Sequence, residues 1–185
     1  MKIQRTHLLK RLDTLYLSYN TSFGNWKNKD HYVNLRGPRG SGKTALILEW
    51  LEHHKHFYFS FAGLDEPMAL RLLGERLQKY MDEHNLPALL MDTWENVFLN
   101  INKLSERTCH IFALDDADEI LTDSVFSAAF QSYFAKEKRR AILIIFVTRA
   151  EKLPEFLPDY TKWTYDEIPI DVPYFSIADL CKCFP

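Results

Sequence analysis

Cysteine is scarce in the 185-residue sequence, and the three that occur, Cys109, Cys181 and Cys183, form no C-x-x-C pair. An odd number without repeating spacing excludes a disulfide framework, and a four-ligand zinc site is not in sight. With no signal peptide at the start, this usage points to a reducing cytoplasm. Cys109 opens an apolar run and reads as a small core residue. Long hydrophobic runs are also missing. Stretches such as 141–147 fall far short of the roughly 20 residues that span a bilayer, so no membrane partner is expected.

Neither sign of charge dominates. The formal net charge is −2, from 23 Lys and Arg against 25 Asp and Glu, which leaves no global footprint for nucleic acid or an anionic membrane. The basic cluster at 136–140 reads as a solvated helix end, with a local contact to nucleic acid as the alternative. Internal repeats and low-complexity segments are absent. What is present is core material. Hydrophobic residues at 46% and aromatics at 14% exclude disorder, and the length suits one α/β domain with at most a short appendage.

Leu8, Leu9, Leu12, Leu15 and Tyr16 have helical spacing and predict an amphipathic opening helix, followed by a polar loop over 20–34. A short strand is expected at 32–36, a helix at 44–54 and an aromatic-rich strand at 56–61. Helices follow at 67–83 and 93–105, the second capped by Asp92 or Thr93 with Glu95 or Asn96 behind. An apolar strand at 109–115, a helix at 123–134 and a wholly apolar strand at 141–148 come next. The near-continuous apolar strands imply burial on both faces, as in a parallel sheet covered by helices. A last strand is expected at 163–170, and residues 176–183 begin one more helix. The organisation predicted is a leading helix and loop at 1–31, a core at 32–175 and the start of a helix at 176–185.

Between the strand at 32–36 and the next helix lies Gly37-Pro38-Arg39-Gly40-Ser41-Gly42-Lys43-Thr44, which fits the P-loop pattern G-x-x-x-x-G-K-[ST]. Its glycines let backbone N–H groups converge on phosphate oxygens, and the N-terminus of the helix entered by Thr44 and Ala45 adds a favourable dipole. Lys43 is placed to reach the β- and γ-phosphates, and the Thr44 hydroxyl to coordinate magnesium. The motif predicts binding of a nucleoside triphosphate, ATP with magnesium.

Two further sites follow. Ile111-Phe112-Ala113-Leu114-Asp115-Asp116 carries a carboxylate to the C-terminal edge of a strand, where open α/β sheets hold ligands. Asp115 is expected to hold magnesium through water, and Asp116 to polarise an attacking water as general base. At the end of the strand 142–147, Thr148 is expected to hydrogen-bond the γ-phosphate or the water, and Arg149 to make a bidentate phosphate contact that distinguishes triphosphate from diphosphate. Thr148 as an N-cap beside an exposed arginine is the alternative. Asp118 and Glu119 fall out of register for the catalytic pair. His53, His54 and His56 end a helix with no carboxylate or cysteine set beside them, and read as solvated rather than metal-binding.

With these sites in order, nearly the whole chain resembles the ATPase core of the AAA-related prokaryotic ATPases, near the STAND switches and the origin-recognition ATPases. Arg5-Thr6-His7-Leu8-Leu9-Lys10-Arg11-Leu12 is similar to the family's opening helix, and residues 37–44 match its P-loop. Thr93-Trp94-Glu95-Asn96-Val97-Phe98 looks like its tryptophan-containing helix, residues 114–119 like its magnesium motif, and Val147-Thr148-Arg149 like its sensor strand. The resemblance implies a three-layer P-loop NTPase fold with a parallel sheet in the order 5-1-4-3-2. It also implies an ATP-dependent conformational switch, often in an oligomer.

Two departures from the family stand out. Many members carry Asp-Glu where this chain has Asp115-Asp116, and the shorter side chain predicts slow hydrolysis, although Asp-Asp is familiar in the STAND branch. The helical lid and effector domain that members carry do not fit after Ile177, so the chain is expected to be a fragment or a reduced stand-alone form, reaching nucleic acid only through a missing effector domain. Three functions are therefore in play: a slow ATPase switch cycling between ATP and ADP with a protein partner or its own copies, a nucleotide-dependent binding module without significant turnover, and a P-loop small-molecule kinase. The kinase reading lacks an arginine-rich lid, for which 136–140 is the sole candidate.

Overall fold

The computed structural model describes residues 5–21, 31–105, 110–121, 125–136, 142–149 and 170–174. Among these described residues eleven elements follow in chain order: α1 (Thr6–Thr21), β1 (His31–Arg36), α2 (Lys43–Leu51), β2 (His56–Ser60), α3 (Glu66–Glu83), α4 (Trp94–Ser105), β3 (His110–Asp115), α5 (Asp118–Leu121), α6 (Val125–Lys136), β4 (Ile142–Thr148) and β5 (Ile170–Asp171). All strand pairs are parallel, and the sheet order is β5-β1-β4-β3-β2, the expected 5-1-4-3-2.

Alternation along the strands builds two cores, one on each face of the sheet. Phe57, Phe59, Phe112, Leu114, Ile144 and Phe146 meet α3, α4, α5 and α6 on one side. Val33, Leu35, Ile111, Ala113, Leu143, Ile145 and Val147 meet α1 and α2 on the other. The first core is strongly aromatic: Phe126 packs edge-on against Trp94 with ring centroids 4.9 Å apart, and Phe130 edge-on against Phe146 at 5.6 Å. Polar groups orient the helices around it. Glu66 Oε1 accepts hydrogen bonds from Trp94 Nε1 at 3.1 Å and from the Phe126 amide at 2.6 Å, so one carboxylate joins the starts of α3, α4 and α6. An anion at the N-terminus of α6 also suits the helix dipole.

Caps fall where side-chain chemistry places them. Asp65 accepts from the Met68 amide at 2.9 Å and Pro67 stands in the first turn of α3. Thr93 accepts from the Asn96 amide at 3.2 Å before α4, while Asp92 binds the Asn96 side chain at 3.0 Å. The four-residue α5 was not expected: it is too short to show a helical period, and backbone bonds from Ile120 and Leu121 to the Ala117 carbonyl close it. Of the strand expected at 163–170 only Ile170 is described, and β5 runs on to Asp171. The helix expected at 176–183, the three cysteines and residues 137–140 of the basic cluster lie outside the described residues. No described helix is long and apolar enough to cross a membrane.

Candidate functional site

With every strand parallel, the C-terminal ends of β1, β2, β3 and β4 open on one edge of the sheet, and the residues singled out from the sequence converge there. Residues 37–42 bridge β1 to α2. Gly40 and Gly42 take φ of 78° and 85°, left-handed values that a side chain would strain, and Gly42 is the N-cap of α2. Gly37 is required for another reason. Its amide donates to the Thr148 carbonyl at 3.2 Å, and a Cβ at this position would lie 2.3 Å from the Val172 carbonyl oxygen. Gly37→Ala is expected to force β1 and β5 apart and to cost about 1–3 kcal/mol, an overpacking penalty. Denaturant unfolding reads this as a lowered midpoint, and an unchanged midpoint would show that the loop yields freely.

Lys43 is buried and folds back over its own loop, donating to the Gly37 carbonyl at 2.7 Å and the Pro38 carbonyl at 3.0 Å. Burial pushes its pKa down, and the opposing pull of Asp115, Asp118 and Asp116 does not restore it. An ammonium undercompensated in this way is poised for another anion. Ser41 is fully buried at the turn, and its hydroxyl has no hydrogen-bond partner among the described residues.

The Thr44 hydroxyl donates to Asp115 Oδ2 at 2.7 Å, bringing together two oxygens from elements 71 residues apart. One hydroxyl and one carboxylate are the sparse set that magnesium takes from a protein when phosphates and water complete its shell, so these residues fit the ion. Among the described residues no cluster of three or more His, Cys, Asp or Glu offers an all-protein metal cage. Asp115 is buried, and Tyr58, which also donates to its Oδ2 at 2.8 Å, has its pKa pushed up by burial and by that bond.

Asp116 has φ of 52°, a left-handed conformation open to glycine and, among side chains, best to Asn and Asp. A short polar side chain that can hydrogen-bond its own backbone suits this conformation, which aspartate supplies. Its Oδ2 accepts from Ser60 Oγ at 3.0 Å, and Ser60 stands opposite Asp115 in the sheet register.

Lys43, Thr44, Asp115, Asp116 and Arg149 line an open recess of about 520 Å3, in the usual range for small-ligand sites. Arg39, Gly40, Gly42, Ala45 and Leu48 complete its wall, Leu48 as an exposed apolar shelf on α2. Thr148 departs from expectation. It is 1% exposed and donates to Asn34 Oδ1 at 2.8 Å within the sheet, so it does not reach the recess, whereas the next residue, Arg149, does. Arg149 is held by acids outside the predicted set: its amide donates to Asp118 at 2.7 Å and its guanidinium to Glu119 at 2.5 Å. Tyr58, Ser60 and Asn34 are not among the residues singled out from the sequence, where Asp118 and Glu119 enter only as an out-of-register pair. The alternation of Tyr58 and Ser60 with Phe57, Phe59 and Phe61 was the one signal within reach. Of the histidines, His54 packs against the Tyr16 and Trp50 rings, with centroids 4.5 and 4.4 Å away, and burial lowers its pKa.

Known structures align with almost the whole chain. The Walker-type ATPase of Pyrococcus abyssi superposes with a TM-score of 0.60 at 19% identity, over 96% of this chain and 55% of its own. The Aeropyrum pernix Orc1 protein, solved in complex with DNA, gives 0.62 at 18% identity over 97% and 47%. The fold is that of the AAA+ P-loop ATPases. Cdc6p of Pyrobaculum aerophilum gives 0.60 at 16% identity, over 97% of this chain and 48% of its own. The chain spans about half the length of these structures. No protein-family model matches the sequence, and no curated protein does.

Proposed function

We propose that this AAA+ fold binds ATP with magnesium and hydrolyses it slowly, as a STAND-like switch whose ATP and ADP states differ in their contacts with a protein partner or with other copies of the chain. The carrying observation is the buried Lys43 ammonium, folded over its own glycine loop, beside the Thr44–Asp115 pair, a ready half-shell for magnesium. In this reading the amides of residues 37–45 cradle the phosphates, with Lys43 on the β- and γ-oxygens. Thr44 and Asp115 hold magnesium, which supplies charge neutralisation at the transferred phosphate. Asp116 orients and deprotonates the water, steered by Ser60. Arg149 contacts the γ-phosphate, while Thr148 fixes the end of β4 through Asn34 and so places Arg149. In this reading the ATPase core spans 32–175 after a leading helix and loop within 1–31, and the setting is cytoplasmic.

The test is to identify the nucleotide carried by purified protein and to follow phosphate release from ATP with and without magnesium. Retained adenine nucleotide is expected, with magnesium-dependent release below about one turnover per minute, as in unassisted phosphate-hydrolysing switches. No turnover with nucleotide still bound would favour a binding module, and phosphate appearing on an added small molecule would favour a kinase.

A further inference from the structure

The Arg149 guanidinium enters the recess wall with its charge already matched. Its Nη2 lies 2.5 Å from Glu119 Oε1 and its Nε 3.5 Å from Asp118 Oδ2, and the same Asp118 oxygen accepts the Arg149 amide at 2.7 Å. Both acids belong to α5, which begins three residues after Asp115, so α5 connects the end of β3 to the end of β4. The two contacts differ in kind. Asp118 is 18% exposed in its side chain and anchors the backbone of residue 149. Glu119 and Arg149 are 39% and 43% exposed, and their ion pair is solvated. A backbone anchor with a solvated side-chain pair fixes where the arginine starts and leaves its head group free to exchange partners.

We infer that Glu119 is a specificity-determining residue that sets the preference of the site for nucleoside triphosphate over diphosphate, by competing with the γ-phosphate for Arg149. This rests on the nucleotide site proposed above and adds a component to it. A γ-phosphate within reach of the guanidinium must displace Glu119, and a diphosphate, lacking that group, leaves the pair intact. The carboxylate therefore weakens triphosphate binding selectively. Because the pair is exposed and screened, the effect is modest, about two- to five-fold in relative affinity. The hydrogen bond from Arg149 to Glu119 is also the largest influence raising the arginine's pKa, and Asp118 acts on Lys43 as well, so α5 acts on two of the recess's cations. Asp118 is a positioning residue in this scheme.

The experiment measures dissociation constants for the non-hydrolysable triphosphate adenosine 5′-(β,γ-imido)triphosphate and for ADP, both with magnesium, in wild type, Glu119→Gln, Arg149→Ala and the double variant. Glu119→Gln removes the charge and keeps an acceptor oxygen, so folding is little disturbed. The ratio of ADP to triphosphate dissociation constants is expected to rise about two- to five-fold in Glu119→Gln. It is expected to fall in Arg149→Ala and to be unaffected by Glu119→Gln in that background. An equal shift for both nucleotides, or a rise that persists without Arg149, would overturn the inference and leave the nucleotide site standing. Failure of wild type to bind either nucleotide would overturn both.

Discussion

Lys43→Ala is expected to reduce ATP turnover by about 10²- to 10³-fold, the cost of removing one preorganised donor from a developing charge, and to abolish nucleotide retention during purification. The same substitution is expected to leave the nucleotide-free protein as stable as wild type, or more so. The two effects have one source. Burial of the Lys43 ammonium outweighs the attraction of Asp115, Asp118 and Asp116, so in the absence of nucleotide this charge disfavours the folded state. The carbonyls it leaves, on Gly37 and Pro38, border solvent and can bind water instead. Thermal unfolding without nucleotide and phosphate release with it separate the effects. A variant that lost activity by unfolding would show a lowered midpoint, and the loss could then not be assigned to the phosphate contact.

Asp116→Asn is expected to lower hydrolysis by about 10²- to 10⁴-fold, the range for removing a general base, with ATP affinity unchanged or slightly raised. The substitution is well suited to this backbone: at φ of 52° asparagine is tolerated as readily as aspartate, and its amide oxygen can still accept from Ser60. Only charge and basicity are lost. Single-turnover phosphate release checks the rate, and nucleotide titration the affinity. Hydrolysis at the wild-type rate would remove Asp116 from the role of base. Ser60→Ala should fall in the same direction by a smaller factor, since it orients Asp116 and carries no proton in the scheme.

What could be read in the sequence was what lies contiguous in it. The eight residues 37–44 declare a loop with its chemistry built in, and the apolar runs at 111–114 and 142–147 announce strands buried on both faces. Strand order followed from the resemblance those motifs support. Relations created by folding were less accessible. Ser60 reaches Asp116 because β2 and β3 pair with Ser60 opposite Asp115, and Thr148 turns to Asn34 because β1 and β4 pair across 114 residues of chain. Asp118 and Glu119 were set aside for their position after the apolar run, yet α5 brings them onto Arg149 from 31 and 30 residues away. Gly37 had a stated role in phosphate binding, whereas the nearness of the Val172 carbonyl to where its Cβ would lie comes from the pairing of β5 with β1.

The central claim is that the cation and carboxylates at the end of this sheet form one magnesium–nucleotide site. Calorimetric titration of ATP into nucleotide-stripped protein, with magnesium and then with excess chelator, tests it most directly. One ATP per chain is expected, bound more weakly once magnesium is removed and not detectably in Lys43→Ala. Binding of equal strength in Lys43→Ala, or no binding by the wild-type chain, would contradict the claim.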